Sequence, residues 1–175
     1  GNTARARGGI AAALGAGDRP ELHAVDSVAA GVGLVDVAAA RLLASEGATA
    51  VSELIALGFG VDRDASGAVS FGLEAAHGKA RIVHAGEDRT GAALHAFLVA
   101  QLMNLVAQGR VQLTEQSSAV SLLSDSGEVA GAVLCDAAGD LSAVKADSVV
   151  LATGGYAGLD PETSNHSGAR GEGIV

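Results

Sequence analysis

Up to Gly109 the apolar residues of this chain recur at helical spacing, and from Val111 onward they fall in short, β-rich runs that end in the wholly apolar "VVLA" of residues 149–152. A sequence that changes period once, from about 3.6 to about 2, cannot be an all-helical bundle or an all-β sandwich. From Asp18 onward its first part predicts three helices. Asp18, Pro20 and Glu21 read as a helix start, with Asp18 as the cap and Leu22, Val25 and Ala29 on one face. A second helix is predicted from after Asp36 to Gly58, with Leu42, Leu43, Val51, Leu54 and Ile55 on its apolar face and Gly47 as a weak point. The third follows "EDRTG", places Leu94, Phe97, Leu98, Leu102 and Leu105 at helical spacing and stops at Gly109. Between the second and third, "RDASG" reads as a turn and "AVSFGL" as a short strand. After the third, "VQL", "SAVSLLS", "VAGAVLCD" and "LSAVKA", separated by "DSGE" and "AAGD", predict a small antiparallel meander. The "VVLA" run, apolar at every position, predicts a strand covered on both faces of a parallel sheet. Together these elements predict an α/β architecture of the nucleotide-binding kind.

Composition narrows the function classes. The 175 residues suit one domain, and 49% hydrophobic against 18% charged content argues against disorder. Eleven basic and twenty acidic residues give a net charge of −9, which repels a polyanion, and 2% aromatic content offers no platform for stacked bases. Nucleic acid is therefore not an expected partner. Cys135, the single cysteine, has no second thiol for a disulfide or a CxxC site. The most apolar stretch, "AALHAFLVAQLMNLVAQ", is interrupted by His95, Gln101 and Asn104, so no membrane span is expected. No signal peptide is visible, which makes the cytoplasm the expected location.

Two glycine-rich stretches carry the chemistry. Thr153, Gly154 and Gly155 follow the predicted buried strand, where open α/β sheets bind their ligands and a missing Cβ lets backbone approach a phosphate or ring. The opening "GNTARARGGIAAAL" reads as a loop running into a helix, whose consecutive amides would present donors to an anion. Arg5 and Arg7 there either add charge to such a site or are simply solvated. His77 and His84 do not make a coordination set, so no metal is expected.

Taken in order, "NTARARGGIAAAL", "LEAAHGKARIVHAGEDRTG", "SSAV", "SVVLATGGYAGL" and "ETSNHSGARGEGI" resemble the succinate dehydrogenase and fumarate reductase flavoprotein family over essentially all 175 residues. Within it, the resemblance is to the branch that oxidises L-aspartate. That implies a Rossmann-like FAD-binding domain carrying the small β-meander, and the oxidation of a small dicarboxylate, L-aspartate, to iminoaspartate at the start of bacterial NAD synthesis, with oxygen or fumarate as acceptor. It implies FAD contacts at Asn2, Thr3, Ala4, Arg5, Ala6, Arg7, Gly8 and Gly9 around the pyrophosphate and flavin edge, at Ser118 and Ala119 on the adenosine side, at Thr153, Gly154 and Gly155, and at Glu172, where the family usually has Asp. Members that tether FAD covalently carry His where this chain has Asn2, so the implied FAD is noncovalent. Glu74 matches a glutamate near the substrate amino group, although Leu73, Ala75 and Ala76 replace the family's usual Arg and Gly-Gly.

The same resemblance implies that residues 1–175 are an interior part of that domain, with the GxGxxG strand–turn–helix before Gly1 and a capping domain after Val175. On that expectation the catalytic groups lie outside this stretch, and the isolated chain binds FAD weakly and is inactive. Two alternatives stay open: a soluble fumarate reductase or related dehydrogenase, and a noncatalytic flavin-binding module whose Ala75, Ala76, His166 and Glu172 record lost constraint.

Overall fold

A computed structural model describes residues 1–173, and the chain divides into two compact units, Gly1–Gln101 and Leu102–Val175. In the first, a 3₁₀ turn, Thr3–Arg5, leads into strand β1, Ile10–Ala11. The Gly8-Gly9 pair therefore opens a strand, where sequence predicted a helix. The reason is a ladder: β1 pairs antiparallel with β3, Ile82–Val83, and Ala12 extends it by donating to the Arg81 carbonyl at 2.9 Å. On the other side β3 pairs antiparallel with β2, Phe71–Gly72, inside the predicted "AVSFGL" strand.

Helices α1, Pro20–Ala30, and α2, Val37–Ala56, pack against each other. The start of α2 is as predicted, with Asp36 Oδ1 accepting from the amides of Ala38 and Ala39 at 2.8 and 3.0 Å. Its buried face differs. Ala40, Ala44, Ala48 and Val51 form the inward stripe, while Leu42 and Leu43 are 59% and 72% exposed. On α1 likewise Ala24 is buried and Val25 exposed. Small side chains at the crossing let the helices approach closely, so the helix turns its alanines inward rather than its bulkiest residues. Gly47 is accommodated inside α2 without breaking it.

The core of this unit gathers Ala12, Val51, Phe59, Val61, Val83 and Ala85. Helix α3, Thr90–Ala107, closes it with Ala93, Leu94 and Phe97, whose ring lies 5.6 Å from that of Phe59. At 18 residues and a mean hydropathy of 1.4, α3 is long and apolar enough to cross a membrane by length and composition alone.

Arg81 is fully buried. An unpaired guanidinium there would be prohibitively costly, and two carboxylates neutralise it. Asp18 accepts from Nε at 2.8 Å and from Nη2 at 2.9 Å, and Asp26 accepts from Nη1. Asp18 is thus not the cap of α1, whose N-cap position falls to Arg19; it caps a buried charge instead. His77 Nδ1 lies 3.2 Å from Arg81 Nη1, and the ring of His23 packs 5.6 Å from that of His77 with its own Nδ1 buried and unbonded among the described residues.

The second unit holds the predicted meander: β4, Ser117–Asp125, β5, Glu128–Asp136, and β6, Leu141–Lys145, antiparallel in that order. Ser126 and Gly127 make a two-residue turn with φ of 52° and 88°, the primed geometry that tight hairpins favour. At the next turn Asp136 Oδ1 accepts from the amides of Ala138 and Asp140 at 2.8 and 2.9 Å. Two predicted strands differ. "VQL" is irregular, and "VVLA" pairs with no strand among the described residues, with Val150 87% exposed. A run apolar on both faces needs a ladder on each side, and both sheets described are antiparallel and formed without it.

Two measurements test the buried cluster. Arg81→Ala should lower unfolding free energy by about 3–5 kcal/mol, the scale for stranding buried partners, against about 0.5 kcal/mol or less for the exposed Arg63→Ala, both read by urea titration. Stability should also fall with acid in two stages. Burial, followed by the nearby Arg81 and His77 charges, holds the His23 imidazole below its ordinary value, so its contribution is complete above about 6.5 and lost as pH drops below that. Asp18, held low chiefly by Arg81, and Asp26, held low by the Gly78 amide and then Arg81, contribute fully above about 3.9 and lose that contribution below it.

Candidate functional site

In the first unit the opening loop and the start of α3 enclose a cleft of about 420 Å³ lined by Ala4, Arg5, Ala6, Arg7, Asp88, Arg89 and Ala92. Asn2 caps the 3₁₀ turn through its carbonyl, which accepts from Arg5 N–H at 2.9 Å, and Thr3 O accepts from Ala6 N–H at 3.1 Å. These amides, among the donors expected to face an anion, are spent inside the turn. What the loop and the turn before α3 offer instead is charge: Arg5, Arg7 and Arg89 are exposed and make no ion pair among the described residues. Arg89 was not singled out in the sequence, where it sits in "EDRTG" as an ordinary turn residue.

Two features hold the cleft open. Gly91 donates to Ala6 O at 3.2 Å, and a Cβ at position 91 would run into the carbonyl oxygens of Thr3 and Ala6, the latter at 2.6 Å. Only glycine lets α3 seat against the loop. Across the turn before α3, the Asp62 carboxylate accepts from the amides of Gly86 and Glu87 at 2.9 and 3.1 Å, and Thr90 Oγ1 accepts from Ala85 N–H at 3.1 Å. Asp62 was also missed; a lone acid after the apolar "FGV" carries no local signal.

Glu74 lies in the same unit, half exposed, with Oε1 3.8 Å from His84 Nε2. His84 stands beside Gly9, whose added Cβ would sit 3.1 Å from its ring and 2.6 Å from Val83 O. Glu74, His84 and the end of the loop are thus brought together around β3. His77 takes a different role, against Arg81.

In the second unit Ser118 and Ala119 lie exposed on β4, opposite Cys135 and Leu134, just before a bulge at Val120. Thr153, Gly154 and Gly155 are exposed, Gly155 O accepts from Gly171 N–H at 3.2 Å, and Gly173 packs against Thr153. That contact draws exposed Glu172 to the Thr153–Gly155 bend, so these expected cofactor contacts share one corner of their unit.

Across residues 1–175 the sequence matches the family described as FAD binding domain. The chain belongs to that family. This FAD-binding domain is 43% identical to an L-aspartate oxidase of Caulobacter vibrioides over 99% of its own length, and 41% identical to one of Streptomyces coelicolor over 100%. It spans about a third of the length of those curated relatives, 33% and 30%. Among solved structures it is similar to a quinol–fumarate reductase with menaquinol molecules, with a TM-score of 0.86 and 27% identity over 99% of this chain and 30% of that one. The Mycobacterium smegmatis Sdh1 complex in the apo form gives 0.81 and 30% identity over 94% and 30%.

FAD is the cofactor the family indicates. The residues present fit it: a flavin dinucleotide carries a diphosphate, and the cleft presents three uncommitted guanidiniums against one carboxylate, Asp88, beside backbone that a Cβ would obstruct. Gly91→Val should push the loop off α3 and lower stability by about 1–3 kcal/mol, whereas Gly47→Ala, where a Cβ meets nothing within 4 Å, should leave it unchanged or slightly raised; thermal melts of both variants decide this.

Proposed function

We propose that this chain is part of the FAD-binding domain of an L-aspartate oxidase. The observation that carries the reading is the arginine-lined cleft on the loop Asn2–Gly9, in a chain that matches L-aspartate oxidases of two bacteria at above 40% identity over its whole length. On this reading Arg5, Arg7 and Arg89 neutralise the FAD diphosphate, and Asn2 to Gly9 follow it towards the flavin edge. Ser118 and Ala119 meet the adenosine end, and Thr153, Gly154, Gly155 and Glu172 border the cofactor. Because Asn2 cannot form the family's histidyl tether, FAD is held noncovalently.

The reaction removes a hydride from the Cα of L-aspartate and a proton from its ammonium, leaving iminoaspartate; bound FAD supplies the two-electron acceptor. The role of this chain's own residues is to bind and orient. The Glu74 carboxylate pairs with the substrate ammonium, and His84, 3.8 Å away, steadies that carboxylate. Oxygen or fumarate is the terminal acceptor, the product enters NAD synthesis, and the residues that do the chemistry lie outside residues 1–175. The protein works in the cytoplasm, without nucleic acid, and α3 belongs to the domain rather than to a bilayer: it packs Phe97 on Phe59 and carries His95, Gln101 and Asn104. The likeness to a quinol–fumarate reductase favours fumarate reduction as the second reading.

The full-length protein should release its flavin on denaturation, and its flavin absorbance should bleach on adding L-aspartate under anaerobic conditions. Bleaching by succinate instead would favour the second reading, and no flavin binding would refute both. Arg5→Gln with Arg7→Gln should weaken FAD about tenfold or more in an equilibrium titration. Glu74→Gln should raise the KM for L-aspartate about tenfold with FAD affinity unchanged.

A further inference from the structure

Between β2 and β3 the chain makes an excursion, residues 73–80, that carries Glu74. Its neck is closed by Arg81 N–H donating to Gly72 O at 3.1 Å. Within it only a weak turn is formed, His77 N–H to Glu74 O at 3.3 Å, and Ala76 sits at φ 68°, a region that costs a residue with a Cβ. Glu74, Ala75 and Ala76 are exposed, so packing does not fix them. Two contacts tie the far side down: the His77 ring, whose Nδ1 lies 3.2 Å from Arg81 Nη1, and one oxygen on α1. Asp26 Oδ2 accepts from Gly78 N–H at 2.8 Å and also from Arg81 Nη1, joining the tip of the excursion to its root. Asp18 differs: both its oxygens go to Arg81 and one also accepts from Arg19 N–H, with none to the excursion.

We propose that Asp26 is a positioning residue for the substrate site: by holding Gly78 and Arg81 together it fixes the excursion from which Glu74 meets the ammonium of an amino-dicarboxylate. This rests on reading Glu74 as the substrate contact. Asp26 itself touches no substrate. A shared charged acceptor is stronger than a neutral one and geometrically restrictive, which suits a loop whose own contacts are few.

The test uses the full-length protein loaded with FAD, with hydrogen exchange beside kinetics. Asp26→Asn should raise the KM for L-aspartate about tenfold with kcat changed less than about threefold, and should speed amide exchange over residues 75–80 while Ile82 and Val83 stay protected. FAD affinity should not change. Asp26→Glu keeps the charge on Arg81 but displaces it from Gly78, and should give the same KM rise with stability retained. Asp18→Asn should lower stability while leaving KM within about twofold. Unchanged KM and exchange in both Asp26 variants, or an equal KM rise in Asp18→Asn, would overturn the proposal. Glu74→Gln, run in parallel, separates the two readings: no KM change there removes the substrate assignment and this inference with it. A KM rise there with none at Asp26 removes the inference alone.

Discussion

The first unit is organised around a positive charge shut away from the surface. Arg81 immediately precedes β3, and its guanidinium is surrounded on the inside by Asp18, Asp26 and His77. Two of these come from just before α1 and from its middle, so satisfying one side chain fixes that helix to the central strand. Replacing the whole cluster with apolar residues need not destabilise the fold, since buried ion pairs roughly break even against hydrophobic packing. What the cluster adds is a single permitted arrangement: α1 cannot slide or rotate without stranding a carboxylate. In a unit whose strands are two residues long, that constraint has unusual weight.

This also explains what could be read from the sequence. Asp36 before an alanine-rich run, the leucine spacing of α3 and the two short turns of the meander are signals whose physics is confined to a few neighbouring residues, and the structure forms all of them. Asp18 looked equally local and was misread, because a residue 63 positions away takes its carboxylate. The strand after Gly9 was missed for a similar reason: "IAAAL" has helical propensity, but its partner strand lies beyond residue 80. The inward face of α2 was misjudged because helix crossing distance, not side-chain size, selects the alanines. Nothing in the sequence marks Asp62 or Arg89, whose roles exist only once the turn between Gly86 and Arg89 is formed.

For the candidate site the legible part was the backbone: in "NTARARGG" and "ATGG", Gly8 and Gly154 take positive φ and Gly9 lies where a Cβ would meet Ile82 and Val83. The division of labour was not legible. In the first unit the turn consumes its own amides and leaves guanidiniums lining the cleft, so what the cleft presents is flexible, long-reaching charge. In the second, the Thr153–Gly155 bend is braced by Gly171 and Gly173 rather than by a ladder. One half of the expected contact set is electrostatic and the other is shape.

The meander has a consequence for anyone handling this stretch by itself. In a sheet of only β4, β5 and β6, the two outer strands each have one line of backbone donors and acceptors with no neighbour in that sheet, and Val120, Leu122, Leu141 and Val144 stand exposed on them. Such margins are templates for adding another strand, from a second molecule as readily as from a legitimate neighbour. Strand-to-strand association at these margins would lower solubility, and the net charge of −9 on the chain opposes it.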